Sequence, residues 1–390
     1  MREINWSFRC LNGALLLCVI LLSGCSVFGK KTGNEPMELV DFDATVKLKK
    51  VWQRDVGAGQ GEGFTHLTPV IDGDVIYSVD HKGRVVAINR LTGKVLWQRK
   101  TKESISGGIG VEGGSLFIGN QGGELIALST DDGSEIWRRQ LSGEILSVPR
   151  SNGNVVAVQT TNGRLYALNA KTGDELWFYE NSPPVLILRG TPSPIVTDTA
   201  IYAGFSNGRL MSFNPQNGLI LWEQRIAIPQ GRSELERMVD IHASPVLRDG
   251  ILFAAAYQGR VTALARGTGS AIWAQEMSTS EDIALFENRL FLSQTDGTVT
   301  AFNAANGEVI WNNDQMLRRG LSAPQAFGDY VAVVDFKGYM HVMRQTDGEF
   351  VARVRVDRKG ARAPMLTDGN ILYVYGNRGK LMAYEAVEKK

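Results

Sequence analysis

Apolar and polar positions alternate along most of this chain, and the alternation comes in a frame that repeats. At 83–97 it reads GRVVAINRLTGKVLW. It returns at 123–137 (GELIALSTDDGSEIW), 163–177 (GRLYALNAKTGDELW) and 208–222 (GRLMSFNPQNGLILW), then at 259–273 (GRVTALARGTGSAIW) and 297–311 (GTVTAFNAANGEVIW). A seventh copy, GYMHVMRQTDGEFVA at 338–352, ends on Ala352 instead of tryptophan, and an eighth starts at Gly379 and stops with the chain. After the leading glycine, apolar residues fall at every second position, the period of a strand with a packed face. Ten residues further on, a second glycine (93, 133, 173, 218, 269, 307, 348) follows Thr, Asp or Asn, the signature of a tight turn needing positive φ. A second apolar strand then runs to the tryptophan.

Upstream of each frame lies another hairpin pattern, as in PVIDGDVIY at 69–77. Each unit therefore predicts four short antiparallel strands in about 42 residues, the dimensions of a propeller blade. The eighth unit lacks its outer strand, while KVWQRD (50–55) stands alone before the first blade and matches VLWQRK (95–100). A strand around Trp52 that completes the C-terminal blade removes two open sheet edges. The prediction is an all-β, eight-bladed β-propeller of four-stranded antiparallel blades over 47–386, closed by its N-terminal strand, with a short tail at 387–390.

Residues 1–24 lie outside this pattern. Arg2 and Arg9 precede an apolar run, Leu11 to Leu22, too short for a stable membrane span and suited to a signal peptide. The run ends Leu22-Ser-Gly-Cys25, which resembles the bacterial lipobox. That resemblance implies cleavage before Cys25, lipidation of Cys25 with palmitate or a similar acyl chain, and, with Ser26 next, sorting to the outer membrane. Several acyl chains on one residue anchor far more firmly than a single one. Residues 25–46 read as the lipidated cysteine and a flexible polar tether. Cys10 and Cys18 leave with the leader, so the mature chain keeps no thiol for a disulfide, a metal site or a nucleophile. The 42 basic and 41 acidic residues leave no global field that would favour nucleic acid.

The distance from an outer-strand tryptophan to the next leading glycine varies, and the surplus falls in loops that all emerge on one face. Two long ones belong to neighbouring blades: 180–189 (ENSPPVLILR), and 226–243, which has room for one helical turn. Long loops on a rigid repeat scaffold are where binding is usually grafted. In the first, Val185 to Arg189 reads either as an inner strand arriving early or as an exposed apolar anchor followed by arginine, residue types that dominate interface hot spots. One tryptophan per blade at a fixed position is blade packing rather than chemistry. The glycine-rich stretch 57–63 has no Lys-Ser/Thr and no following helix, so it reads as a flexible loop. Histidines 66, 81, 242 and 341 lack paired metal-ligand spacing.

The frame A-φ-[ND]-x-x-[TDN]-G-x-φ-x-W resembles the repeat of PQQ-type propellers and covers almost the whole mature chain. Within that group, the lipobox, short tether, length and eight repeats are similar to the BamB family, the propeller lipoproteins of the outer-membrane β-barrel assembly (Bam) machinery. Leu186-Ile-Leu-Arg189 is similar to the Leu-x-Leu-Arg segment by which that family contacts the barrel-forming subunit BamA. Asp240-Ile-His-Ala-Ser-Pro245 looks like its second contact loop, usually Asp-x-Asp. The resemblance implies partner contacts at Leu186, Leu188, Arg189, Asp240 and His242, with imidazole at 242 where a carboxylate is usual. Arg189 and Asp240 would orient the partner or pair with each other. It further implies a non-enzymatic scaffold without cofactor, on the periplasmic face of the outer membrane, which assists barrel insertion. Because the outer blade strands are sheet edges, presenting them to nascent outer-membrane proteins is an additional role open to the fold. The alternative is a small quinoprotein dehydrogenase using PQQ and Ca²⁺. Against it stands the missing thiol pair, which the alcohol dehydrogenases of that type place over the quinone.

Overall fold

The computed structural model describes residues 33–63 and 65–389. The chain divides into two units, Met1–Pro36 and Met37–Lys390. Of the first, only 33–36 are described, with the Gly33 amide donating to Glu35. The leader and Cys25 lie outside the described residues, as does the tether before Gly33.

In the second unit eight four-stranded antiparallel sheets follow one another around a ring. Seven are built from consecutive strands. The eighth is not: its outer strand, Val46–Asp55, pairs with the last strand, Lys380–Glu388, followed by Ile371–Tyr375 and Leu366–Asp368. The N-terminal strand thus closes the ring where the orphan tryptophan segment had placed it.

The middle strands differ from the one-faced pattern read along the sequence. Val85, Val86, Ala87 and Ile88 are all at most 1% exposed, because each blade is covered by a neighbour on both faces. Alternation here separates two packed faces rather than core from solvent. The small residue of the frame is the cross-strand partner of the tryptophan: Ala87 opposes Trp97, Ala127 opposes Trp137 and Ala263 opposes Trp273. In every outer strand, the N-terminal one included, the register slips one residue before this position, leaving a bulge at Leu96, Ile136 or Val51.

Each outer-strand tryptophan reaches the next blade. The Trp273 indole N–H donates to the Ala304 carbonyl at 2.8 Å, and Trp97, Trp137, Trp177, Trp222 and Trp311 do the same to Thr130, Ala170, Pro215, Arg266 and Gln345. Trp52 closes the circle on Arg90 at 2.8 Å. The turn glycine lies beneath the ring. A Cβ at Gly307 would sit 2.6 Å from the Trp273 ring, at φ 76°. That glycine is required twice over, by the turn and by the tryptophan.

The joint between blades seven and eight has no such contact. Blade eight takes its fourth strand from the N-terminus, so it lacks the hairpin turn that offers a carbonyl to an incoming indole. Ala352 stands where the tryptophan would be, its cross-strand partner is Val342 rather than alanine, and Val46 and Tyr384 join the same cluster. Size has been exchanged across the strand pair.

Before Val46, residues 37–45 lie against blade seven. The Met37 amide donates to the Leu317 carbonyl (3.0 Å). Arg319 donates to the Met37 carbonyl (2.7 Å), and Arg353 donates to the Val40 carbonyl (2.8 Å) while sitting 4.8 Å over the Phe42 ring.

Candidate partner-binding site

The first long loop connects Glu175–Glu180 to Ile195–Val196. Pro183 and Pro184 lack amide hydrogens and the loop forms no strand, so the apolar run after them is not an inner strand arriving early. Val185 is 86% exposed and Leu186 41%, while Ile187 and Leu188 are half-buried.

The second long loop joins Ile220–Arg225 to Val246–Arg248. Its charged stretch makes a single turn. Glu236 closes it by accepting from the Arg232 and Ser233 amides at 2.7 and 3.0 Å, and these bonds hold its carboxyl below the usual range. The loop then dives. Val239 and Ile241 are buried in the core between blades four and five, and Ile241 fits only because residue 204 is glycine, where a Cβ would lie 2.4 Å from its side chain.

Asp240, between them, ties the two loops together. It is 1% exposed and its carboxylate accepts from the Leu188 amide at 3.2 Å. Its own backbone pairs with Tyr257. Burial pushes the Asp240 carboxyl up to about 6, although His242 and the Leu188 amide pull the other way. Arg189 does not pair with Asp240. Its guanidinium meets Glu144, from the preceding interblade loop, at 3.1 Å. The alternative in which Arg189 and Asp240 hold the loops in register is therefore corrected: the carboxylate grips backbone, which leaves the exposed arginine on the rim.

His242 faces inward. Nδ1 lies 2.7 Å from the Ser280 carbonyl and Nε2 3.4 Å from the Arg189 carbonyl. Gly190 makes room for the ring, since a Cβ there would come within 2.0 Å of Nε2. The two loops and the neighbouring blade enclose a cavity of about 190 Å³, lined by Glu144, Ile187, Arg189, Pro192, Phe205 and Asp240. Sequence reasoning missed Glu144, which sits 45 positions from Arg189 with no pattern to link them. It also missed exposed Ile228 and Leu235 on the second loop, where isolated apolar residues in a charged stretch were the available signal.

Towards the ring axis, His66 lies 6.5 Å from His242. Burial, then the neighbouring His242 and Arg362, depress the His66 imidazole to about 4. Burial lifts Glu281 to about 7. Asp282 is spent on the Ser244 amide, and Arg362 on the Gly61 and Gly63 carbonyls. Among the described residues no group of three or more His, Cys, Asp or Glu is arranged to hold a metal ion. The glycine-rich segment 57–63 is ordered against the last blade, with the Gln60 amide donating to Asn377.

Comparison with known proteins gives a consistent result. A family profile described as outer membrane protein assembly factor BamB matches residues 6–104, 81–313 and 295–390. A Pseudomonas aeruginosa protein of that name is 51% identical over 373 residues, covering 96% of this chain and 98% of its own. The Escherichia coli protein of that name is 34% identical, with 92% and 94% covered. The crystal structure of BamB from Moraxella catarrhalis superimposes with a TM-score of 0.79 at 26% identity, covering 87% of this chain and 100% of that one. A quinohemoprotein alcohol dehydrogenase from Comamonas testosteroni shares the fold at TM-score 0.68 and 13% identity, with 87% of this chain and 76% of that chain covered.

Proposed function

This chain belongs to the BamB family of outer membrane protein assembly factors, and from that premise we propose that it is a non-catalytic scaffold of the Bam complex that binds BamA through its two long loops. The observation that carries the reading is the bond from the Leu188 amide to the buried Asp240 carboxylate. It turns two separate insertions into one rigid platform, so the ordering entropy is spent in folding rather than on binding. Leu186 and Leu188 supply the apolar contact, and the cavity beneath receives a side chain of the partner. Arg189, held at the rim by Glu144, exchanges that exposed ion pair for a partner carboxylate at small cost. Asp240 and His242 act from below, by fixing the backbone at 188–190.

In this reading Cys25 carries the lipid that holds the protein to the periplasmic face of the outer membrane. A second role, receiving extended strands of nascent barrel proteins, is favoured by the apolar residues exposed on successive outer strands, Leu96, Ile136, Leu176, Leu221, Ile272 and Ile310. Crosslinks from substrate that fall on the loops and never on these strands would remove it.

The test is an affinity pull-down of the full lipidated protein from detergent-solubilised outer membranes, beside a Leu188→Glu/Arg189→Glu variant whose fold is verified by circular dichroism. The wild type should retain BamA and the variant should lose it. Equal retention by both would overturn the site, and retention by neither would overturn the partner.

A further inference from the structure

The segment before the first strand is fastened by a built device. In blade seven Asp335 is 1% exposed and His341 0%; Arg319 Nε donates to the Asp335 carboxylate at 2.8 Å, and His341 Nε2 lies 3.2 Å from it. Arg353 Nε donates to His341 Nδ1 at 3.1 Å. The two guanidiniums that this buried network aligns are the ones that hold the Met37 and Val40 carbonyls. Phe42 packs on Phe350 with ring centroids 5.4 Å apart. The chain therefore enters the ring at Met37, on the face that carries the interblade loops, bonded to Leu317.

Beside that entry point the loop face changes character. Phe336, whose amide bonds to Arg319, is 47% exposed. Lys337 stands 5.7 Å over its ring, Arg355 reaches the Lys337 carbonyl, and the turn of Arg358 and Lys359 follows, all exposed. Arg378 adjoins them from blade eight. Of the acids on this sector, Asp335 is buried with Arg319, Asp357 is buried with Arg378, Glu62 lies at the edge beside Arg378, and the docked arm adds Glu38 and an exposed Asp41 whose charge acts on Arg353. An aromatic flanked by lysines and arginines is the composition that suits an interface of anionic headgroups.

We infer that this sector of the loop face is a membrane-adsorbing surface for anionic phospholipid, aimed at the bilayer by the docked arm. The inference rests on the lipid anchor at Cys25. Eleven residues separate Cys25 from Met37, and a chain of that length reaches at most about 40 Å. Because residues 37–45 are bonded to blade seven, only those eleven residues join the anchor to the ring, which brings blades seven and eight to the membrane first. The partner platform at blades three to five is then left in another sector of the same face. Lipid adsorption and partner binding occur together.

The test uses the lipidated full-length protein on vesicles of phosphatidylcholine, alone or mixed with phosphatidylglycerol. A fluorophore is carried on Arg358→Cys or, as a control on the opposite face, on Asp131→Cys, and a lipid-borne quencher reports proximity. The expected result is strong quenching at 358 in anionic vesicles, weak quenching at 131, and loss of the difference in neutral vesicles or high salt. Each lysine near an anionic surface is worth about fivefold in partitioning, so adding Lys337→Gln/Lys359→Gln should lower the adsorbed population roughly 30-fold. If the protein floats with neutral vesicles but quenching at 358 equals that at 131 whatever the lipid charge, the surface is overturned and the anchor stands. If the protein does not float with neutral vesicles at all, the anchor fails and this inference fails with it.

Discussion

A tryptophan indole, a glycine without a Cβ and one backbone carbonyl close each of seven joints between blades. Both residues were legible in the sequence, but their meeting was not, because the tryptophan of one frame docks on the glycine of the next. Replacing Gly307 with alanine forces φ 76° on an L-residue and a Cβ into the Trp273 ring. It should cost about 3 kcal/mol, read as a lower urea midpoint. Trp273→Ala should cost about 3–5 kcal/mol by the same measurement. Asp240 makes a different prediction. Its carboxyl is raised from 3.8 to about 6 in the folded protein, so the folded state binds the proton more tightly than the unfolded chain. Asp240 therefore adds stability below its unfolded value, and that contribution is lost as pH rises through about 6. Asp240→Asn keeps an oxygen for the Leu188 amide and removes the charge. Thermal melts across this range should show the wild type losing stability relative to the variant between pH 4 and 6; parallel curves would contradict the burial argument.

The blades were readable as elements because each follows one frame, and the closing strand because it duplicates an outer strand down to its bulge. What the sequence hid was the cost of that closure. A blade completed from the N-terminus has no hairpin turn, so the preceding joint needs no indole, and Ala352 records this. Ala352→Trp should therefore destabilise rather than restore a missing contact. Its ring would meet Val342 across the strand pair with no turn carbonyl to bond, at about 1–3 kcal/mol in the urea midpoint. The arm at 37–45 was also illegible, since its polar, aperiodic sequence matches a tether and its partners lie some 280 to 310 positions away. Arg353→Ala removes both the Val40 bond and the cation above Phe42. Amide exchange at 38–42 should quicken while the remaining blades keep their protection.

Taken whole, the ring packs separate apolar clusters between neighbouring blades, and its long insertions fall in loops on one face. Loop length along the sequence picked out the two long insertions, and the proposed partner comes from the family resemblance. Neither indicated that Asp240 would hold a backbone amide or that Arg189 would turn to Glu144, because both contacts join segments far apart in the chain. The proposed scaffold role turns on the loop face of the ring being the one that binds BamA. A photo-crosslinking residue placed at Leu186 in cells, compared with one at Lys94 on the opposite face, measures this directly. The account predicts a BamA adduct from position 186 and none from position 94. An adduct from 94 alone, or equal adducts from both, would contradict it.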